Sequence, residues 1–216
     1  MRDRVLTKEK PDGKHDDREI AWLWHAADVE AYPLGPMIKL LLLTGCREME
    51  IGALAWDEIQ GDEIVLEGER TKNGEPHHVP LSPQAKAILA SVPRISGCPY
   101  VFTVTGEGPF TSWSCGKHRL DKTMRKLAIE GDAKTPAPWR IHDLRRTCAT
   151  LLERLGTPLQ ITEAYLNHSG SKKGLVGRHQ RRKYHAEKRQ AAKLLGAEIK
   201  RIVHGPAKVL PIKRAA

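Results

Sequence analysis

Apolar positions recur at two different periods along the chain, and each predicts an element. Residues 17–31 follow a helical repeat behind Asp16 or Asp17, either of which can cap it. A second helix runs through GPMIKLLLLTG and stops at Gly45, a residue suited to a C-cap. A third begins at once in CREMEIGALAW. The period then changes. DEIVLEGERTKNGEPHHVPLS reads as strand, turn at Asn73-Gly74, strand. Asn-Gly between extended runs is the strongest short hairpin signal, because both central residues need positive φ. Residues 83–91 suggest a short helix and YVFTV a short strand. Helices follow over 112–130 and 143–155, with Pro136 and Pro138 breaking the chain between them and Gly156 ending the latter. A short helix covers 159–167. After a basic, Gly-containing loop at 170–178, a last helix extends from about 180 to 203. The expected fold class is mixed α+β, mainly α-helical, with a small antiparallel sheet. Residues 1–16 are polar, carry Pro11 and Gly13, and are expected to be loose. Residues 17–203 form the domain, and 204–216 a basic tail.

Charge narrows the picture. The 216 residues carry a formal net charge of +10. Residues 172–214 hold 14 Lys or Arg against two Glu. That imbalance suits a polyanion such as nucleic acid. No run approaches the ~20 apolar residues of a membrane span. The polar, acid-containing N-terminus resembles neither a secretory signal nor a transit peptide. A cytoplasmic protein with no membrane partner is expected. Cys46, Cys98, Cys115 and Cys148 form no C-x-x-C pair. The spacing therefore predicts reduced thiols and no metal site, with Cys148 in the core.

The candidate chemistry centres on RIHDLRRTCAT, residues 140–150. At 100° per residue from His142, the apolar stripe of Leu144, Cys148, Leu151, Leu152 and Leu155 spans about 180–280°. Arg145 falls at about 300°, on the margin of that stripe, and Arg146 at about 40°, in solvent. An Arg with its stem anchored by packing presents a fixed fork of donors, which fits phosphate oxygens. Taken alone, Arg145 could equally pair with an acid such as Glu50 while His142 caps the helix. Arg47 opens another helix with Glu50 three residues on, an ordinary surface pair by itself. Lys72 beside a hairpin tip and His168 in YLNHSG are each unremarkable in isolation.

Their order is more informative. Arg in TGCREMEI, Lys before an Asn-Gly hairpin, HDLRRT, then LNHS with a basic loop: this set resembles the catalytic domain of the tyrosine recombinases, the phage-integrase family. The resemblance covers about residues 3–203. The family's separate N-terminal helical domain is not in the sequence, so a fragment or a natural truncation is expected. The family cuts one DNA strand by attack of a tyrosine on the scissile phosphate, leaving a 3′-phosphotyrosyl link and a free 5′-hydroxyl. By this resemblance Arg47 and Arg145 hold the nonbridging oxygens, and Lys72 is the general acid for the leaving 5′-oxygen. His142 assists proton transfer, His168 donates to the phosphate, and Glu50 braces Arg47. No metal or other cofactor is implied, because two arginines and a lysine supply the positive charge. Double-stranded DNA is the implied partner. So are other protomers in a DNA-dependent tetramer, with C-terminal helices docking onto neighbours, a role open to residues 185–203. Without DNA, a monomer or weak dimer is expected.

One position departs from the family. The similar integrases carry G-V-Y-N-R-H-D-Y…E-K-R where this chain reads GRHQRRKYHAEKR from Gly177. Aligned on Gly177, Arg181, Tyr184 and EKR, the nucleophile position holds His179. Three readings stay open. His179 could leave a protein that binds DNA but forms no phosphotyrosine, a relic or decoy that occupies recombination sites. Tyr184 could act instead, although five residues of continuous helix would place it about 140° round and about 7.5 Å along. His179 could itself attack, giving a labile phosphohistidine and nicking. Arg146 and the basic residues Lys172, Lys173, Arg178, Arg181, Arg182 and Lys183 are candidate contacts to the DNA backbone.

Overall fold

A computed structural model describes residues 4–168 and 184–205. Helix α2 (Leu34–Thr44) is its centre, and the sequence explains why. Leu34, Met37, Ile38 and Leu40–Leu43 are apolar on every side, and a helix apolar all round must be enclosed. It is enclosed by α1 (Arg18–Glu30), α4 (Pro83–Ser91), α6 (His142–Arg154) and α8 (His185–His204). The α1–α2 contact is close enough to require glycine: a Cβ on Gly35 would lie 2.1 Å from the Ala27 carbonyl oxygen. Helix α5 (Trp113–Glu130) packs on α1 from outside, and α7 (Leu159–Tyr165) lies against α6 and α8.

The sheet is small and antiparallel. Strands β3 (Ile59–Gln60), β4 (Glu63–Leu66) and β5 (His77–Pro80) pair in that order, with Ile64 opposite Val79 and Leu66 opposite His77. These four side chains share the buried face. The hairpin is therefore present, but its connection runs from 67 to 76 rather than through a two-residue turn. It contains a 3-10 turn at Gly68–Arg70 and a left-handed Gly74.

Other boundaries differ from expectation for identifiable reasons. Helix α3 is only Glu48–Gly52, not the length of CREMEIGALAW. The groups that would continue it are taken by a distant segment. Gly52 O accepts from Phe110 N at 3.2 Å, Leu54 O from Val101 N at 2.8 Å, and Trp56 N donates to Pro99 O at 2.9 Å. The same bonds leave YVFTV with one isolated bridge, Tyr100 to Ala55, instead of a strand. Within the expected loose segment, residues 6–16 are anchored. Strands β1 (Lys8–Glu9) and β2 (His15–Asp16) pair, Leu6 is buried, and Leu6 N donates to Thr147 Oγ1 on α6 at 3.0 Å. Arg154 then fastens three helices, donating to Asp17 at 2.9 Å and Glu198 at 2.7 Å.

Helix α8 also differs. It begins at 185 rather than about 180, and Tyr184 is its half-buried N-cap, packed on the core. Ala191, Ala192, Leu195, Gly196 and Ile199 bury this helix in its own chain. One face of the segment 185–203 thus packs into the core of its own chain. Among the described residues, no helix is long and apolar enough to cross a membrane.

Candidate active site

Four backbone features gather the predicted residues. Gly45 ends α2 in the left-handed conformation, φ 63°, and a Cβ there would sit 2.4 Å from Leu166 Cδ2 and 2.9 Å from Cys148 Sγ. Only glycine fits this crossing. The chain then enters α3 with Arg47 at its N-cap. Glu50 closes a capping box there, accepting from Arg47 N at 2.7 Å and from the Arg47 guanidinium at 2.6 Å. Glu50 is buried, whereas Arg47 keeps 23% of its side chain exposed. Its guanidinium therefore spans from a buried carboxylate to solvent.

Arg145 occupies the floor, with 4% exposure. The alternative of an Arg145–Glu50 pair is not what the structure holds. Arg145 donates to Gly45 O at 2.6 Å and to Leu166 O. Those carbonyls stand two residues before Arg47 and two before His168. One guanidinium thereby ties the Arg47 turn to the His168 turn. Burial, and then Arg47 beside it, pull Arg145 below its usual pKa, yet a guanidinium stays charged.

A second tie crosses from the hairpin. Asn73 Nδ2 donates to Asn167 O at 3.0 Å, and Asn167 Nδ2 returns bonds to Asn73 Oδ1 at 3.3 Å and Glu75 O at 3.2 Å. Asn167 itself is left-handed, φ 51°, a conformation Asn tolerates. This clasp sets exposed Lys72 beside the His168 turn. His168 Nδ1 lies 3.0 Å from Glu163 Oε1, which orients its ring. His142, exposed at the start of α6, has its pKa lowered by burial first, then by Arg145 and Arg146. It is held toward the neutral form, able to accept a proton. Arg146 is not simply in solvent: it pairs with buried Asp143 at 3.2 Å.

The structure thus brings Arg47, Glu50, His142 and Arg145 together, with His168 on the turn that Arg145 ties down and Lys72 next to the hairpin residue clasped to that turn. Sequence reasoning did not assign Gly45, Asn73, Asn167 or the Leu166 carbonyl, which do the joining. The Asn-Gly signal pointed to Asn73 as a turn residue; its partner lies 94 positions away. His179, Lys172, Lys173, Arg178, Arg181, Arg182 and Lys183 lie outside the described residues.

A sequence model of the phage integrase family matches residues 16–173. The chain belongs to the phage integrase family. Family membership covers every residue of the gathered site. The chain is 31% identical over 120 residues to a shufflon-specific DNA recombinase of Escherichia coli, a match covering 55% of this chain and 28% of that protein. It spans just over a quarter of that relative's length. Among solved folds it is similar to a lambda integrase (75–356) dimer bound to a COC′ core site. There the TM-score is 0.55 at 20% identity, over 72% of this chain and 57% of that one. It is also similar to the Tn1549 transposon integrase (aa 82–397) in complex with circular intermediate DNA. That match has TM-score 0.51 at 17% identity, over 78% of this chain and 58% of that one. The mixed, mainly helical fold with a small antiparallel sheet is the fold of these integrase domains.

Proposed function

We propose that the site binds a DNA phosphate and belongs to a site-specific recombination domain. One observation carries this reading. Arg47 lies close enough to Arg145 for its charge to help lower the Arg145 pKa, and Arg145 is bonded to carbonyls rather than to an acid. Like charges gathered over a shared floor await an anion. Lys72, His142 and His168 stand around them as donors of different acidity. A phosphate seated between the arginines would place its leaving oxygen toward Lys72, and neutral His142 could relay a proton. The similar solved integrases are bound to DNA, which supports the same ligand.

The proposed nucleophile position remains His179, with Tyr184 as the alternative. A chain that binds duplex DNA at this site without forming a phosphotyrosine fits both the gathered site and the sequence at 179. Arg146 and the basic residues of 172–182 would add backbone contacts, and in assembly a DNA-dependent tetramer would form from chains that are monomers or weak dimers alone. The test compares the chain with its His179→Tyr variant on nicked duplexes, reading protein–DNA adducts on denaturing gels with peptide mapping. An adduct in the variant alone is expected. An adduct in the unaltered chain mapped to Tyr184 would restore a working recombinase and overturn the assignment of 179.

A further inference from the structure

Beside the arginines lies a cluster in which Glu50, the brace of Arg47, meets two residues that the phosphate chemistry does not use. Cys46, Glu50 and His77 are all buried, and one ligating atom of each lies within 4.8 Å of the other two. His77 supplies the independent sign of a ligand. It is 2% exposed, its Nε2 lies 2.9 Å from the Tyr165 carbonyl oxygen, and its Nδ1 is buried with no hydrogen-bond partner. A carbonyl accepts only, so Nε2 carries the proton and Nδ1 presents a bare lone pair. An unsatisfied buried acceptor is costly to leave unfilled.

We infer that Cys46, His77 and Glu50 form a site for a thiophilic divalent cation of the Zn²⁺ class, and that occupancy draws Glu50 away from Arg47. Thiol, imidazole and carboxylate are the ligand types zinc takes. Tetrahedral zinc with its usual bond lengths needs ligand atoms about 3.3–3.6 Å apart. The cluster therefore has to contract by about 1.5 Å at most, within the reach of side-chain rotation. The fourth position falls to water. Charge also balances. On binding, the Cys46 thiol releases its proton to solvent, and thiolate plus carboxylate neutralise the dication. Arg47, now without Glu50, is freed, and its partly exposed guanidinium is the element that must move to admit the ion. The three residues are spaced 4 and 27 apart in sequence, which no metal-motif spacing would single out.

Metal binding stands independently of DNA; its effect on Arg47 rests on the phosphate reading above. The test uses the reduced, EDTA-stripped chain titrated with Co²⁺ and then Zn²⁺. One equivalent of Co²⁺ should give a thiolate-to-cobalt charge-transfer band that Zn²⁺ bleaches. Cys46→Ser should abolish the band, and Cys115→Ser, at an exposed thiol, should leave it intact. Absence of the band, or its survival in Cys46→Ser, overturns the site. X-ray absorption of the zinc-loaded unaltered chain needs no variant: one sulfur among nitrogen and oxygen ligands is expected, and a sulfur-free shell contradicts it. For the coupling, Arg47 loses the carboxylate that fixes its guanidinium in place, so Zn²⁺ should weaken binding of a fluorescent duplex about tenfold in the unaltered chain and not in Cys46→Ser. Equal weakening in both overturns the link to Arg47. Duplex binding absent with and without zinc would instead fault the DNA reading while the cobalt band stands.

Discussion

The floor of the site and its rim are built by different means. On the floor, Arg145 is buried and its donors are committed to two backbone carbonyls, while Glu50 is buried and bonded twice to Arg47. On the rim, Lys72 and His142 are exposed, and the half-buried His168 is held to Glu163 through its ring and its backbone N–H. A group that must hold a phosphate at a fixed point gains from preorganisation, because no reorganisation is needed when charge develops. A group that must deliver or accept a proton gains from access to the moving atom. The floor residues should therefore govern stability and binding together, and the rim residues should affect function with little effect on stability.

The sharpest way to break that contrast is Arg145→Ala. It strands the Gly45 and Leu166 carbonyls and unties the two turns, so a loss of about 2–4 kcal/mol is expected in urea unfolding. A loss below about 0.5 kcal/mol, the range of ordinary surface changes, would mean the floor is not structural.

His77 extends the comparison to pH. Burial lowers its pKa from the ordinary histidine value of 6.5 to about 3. Below pH 6.5 the unfolded chain takes up a proton that the folded chain refuses. Stability is therefore fully present above that value and falls as pH drops toward 3, by about 1.4 kcal/mol per pH unit. In metal-free buffer, His77→Gln should remove that part of the slope between pH 6 and 5. An unchanged slope would show that His77 is accessible to protons in the fold.

The clasp comes next. Asn73→Ala removes a side chain that makes two bonds to Asn167 and should cost about 1–2 kcal/mol, and should loosen Lys72 and His168 together. Amide exchange in the 71–76 and 166–168 segments would report it. If only one segment exchanges faster, the clasp does not couple them. The smallest stability effect belongs to the rim. Lys72→Ala should change unfolding by less than about 0.5 kcal/mol while abolishing the adduct in a His179→Tyr background. A retained adduct would remove Lys72 from the chemistry.

Much of this was legible from local pattern. The helices over 18–30, 34–44, 83–91 and 142–154 carry their own apolar repeats and breakers, and Gly45 marked its cap. The set Arg47, Lys72, His142, Arg145 and His168 was legible through resemblance and order. What escaped was long-range. Helix α3 is short because residues 99–110 take its backbone groups, which no local window contains. Arg145 chooses carbonyls 100 and 21 positions away over a nearby carboxylate. His77 sits in HHVP at a spacing of two from Val79, so the strand period places it inward. Period alone, however, gives no sign that Cys46 and Glu50 lie opposite.

The central claim is that the paired arginines exist to hold a DNA phosphate. The most direct test titrates a fluorescent duplex against the chain and Arg47→Gln over a range of salt, with circular dichroism confirming that both are folded. Loss of one phosphate contact should weaken binding at every salt concentration and reduce the slope of log affinity against log salt by about one. Identical affinities and slopes would show that the arginines face something other than DNA.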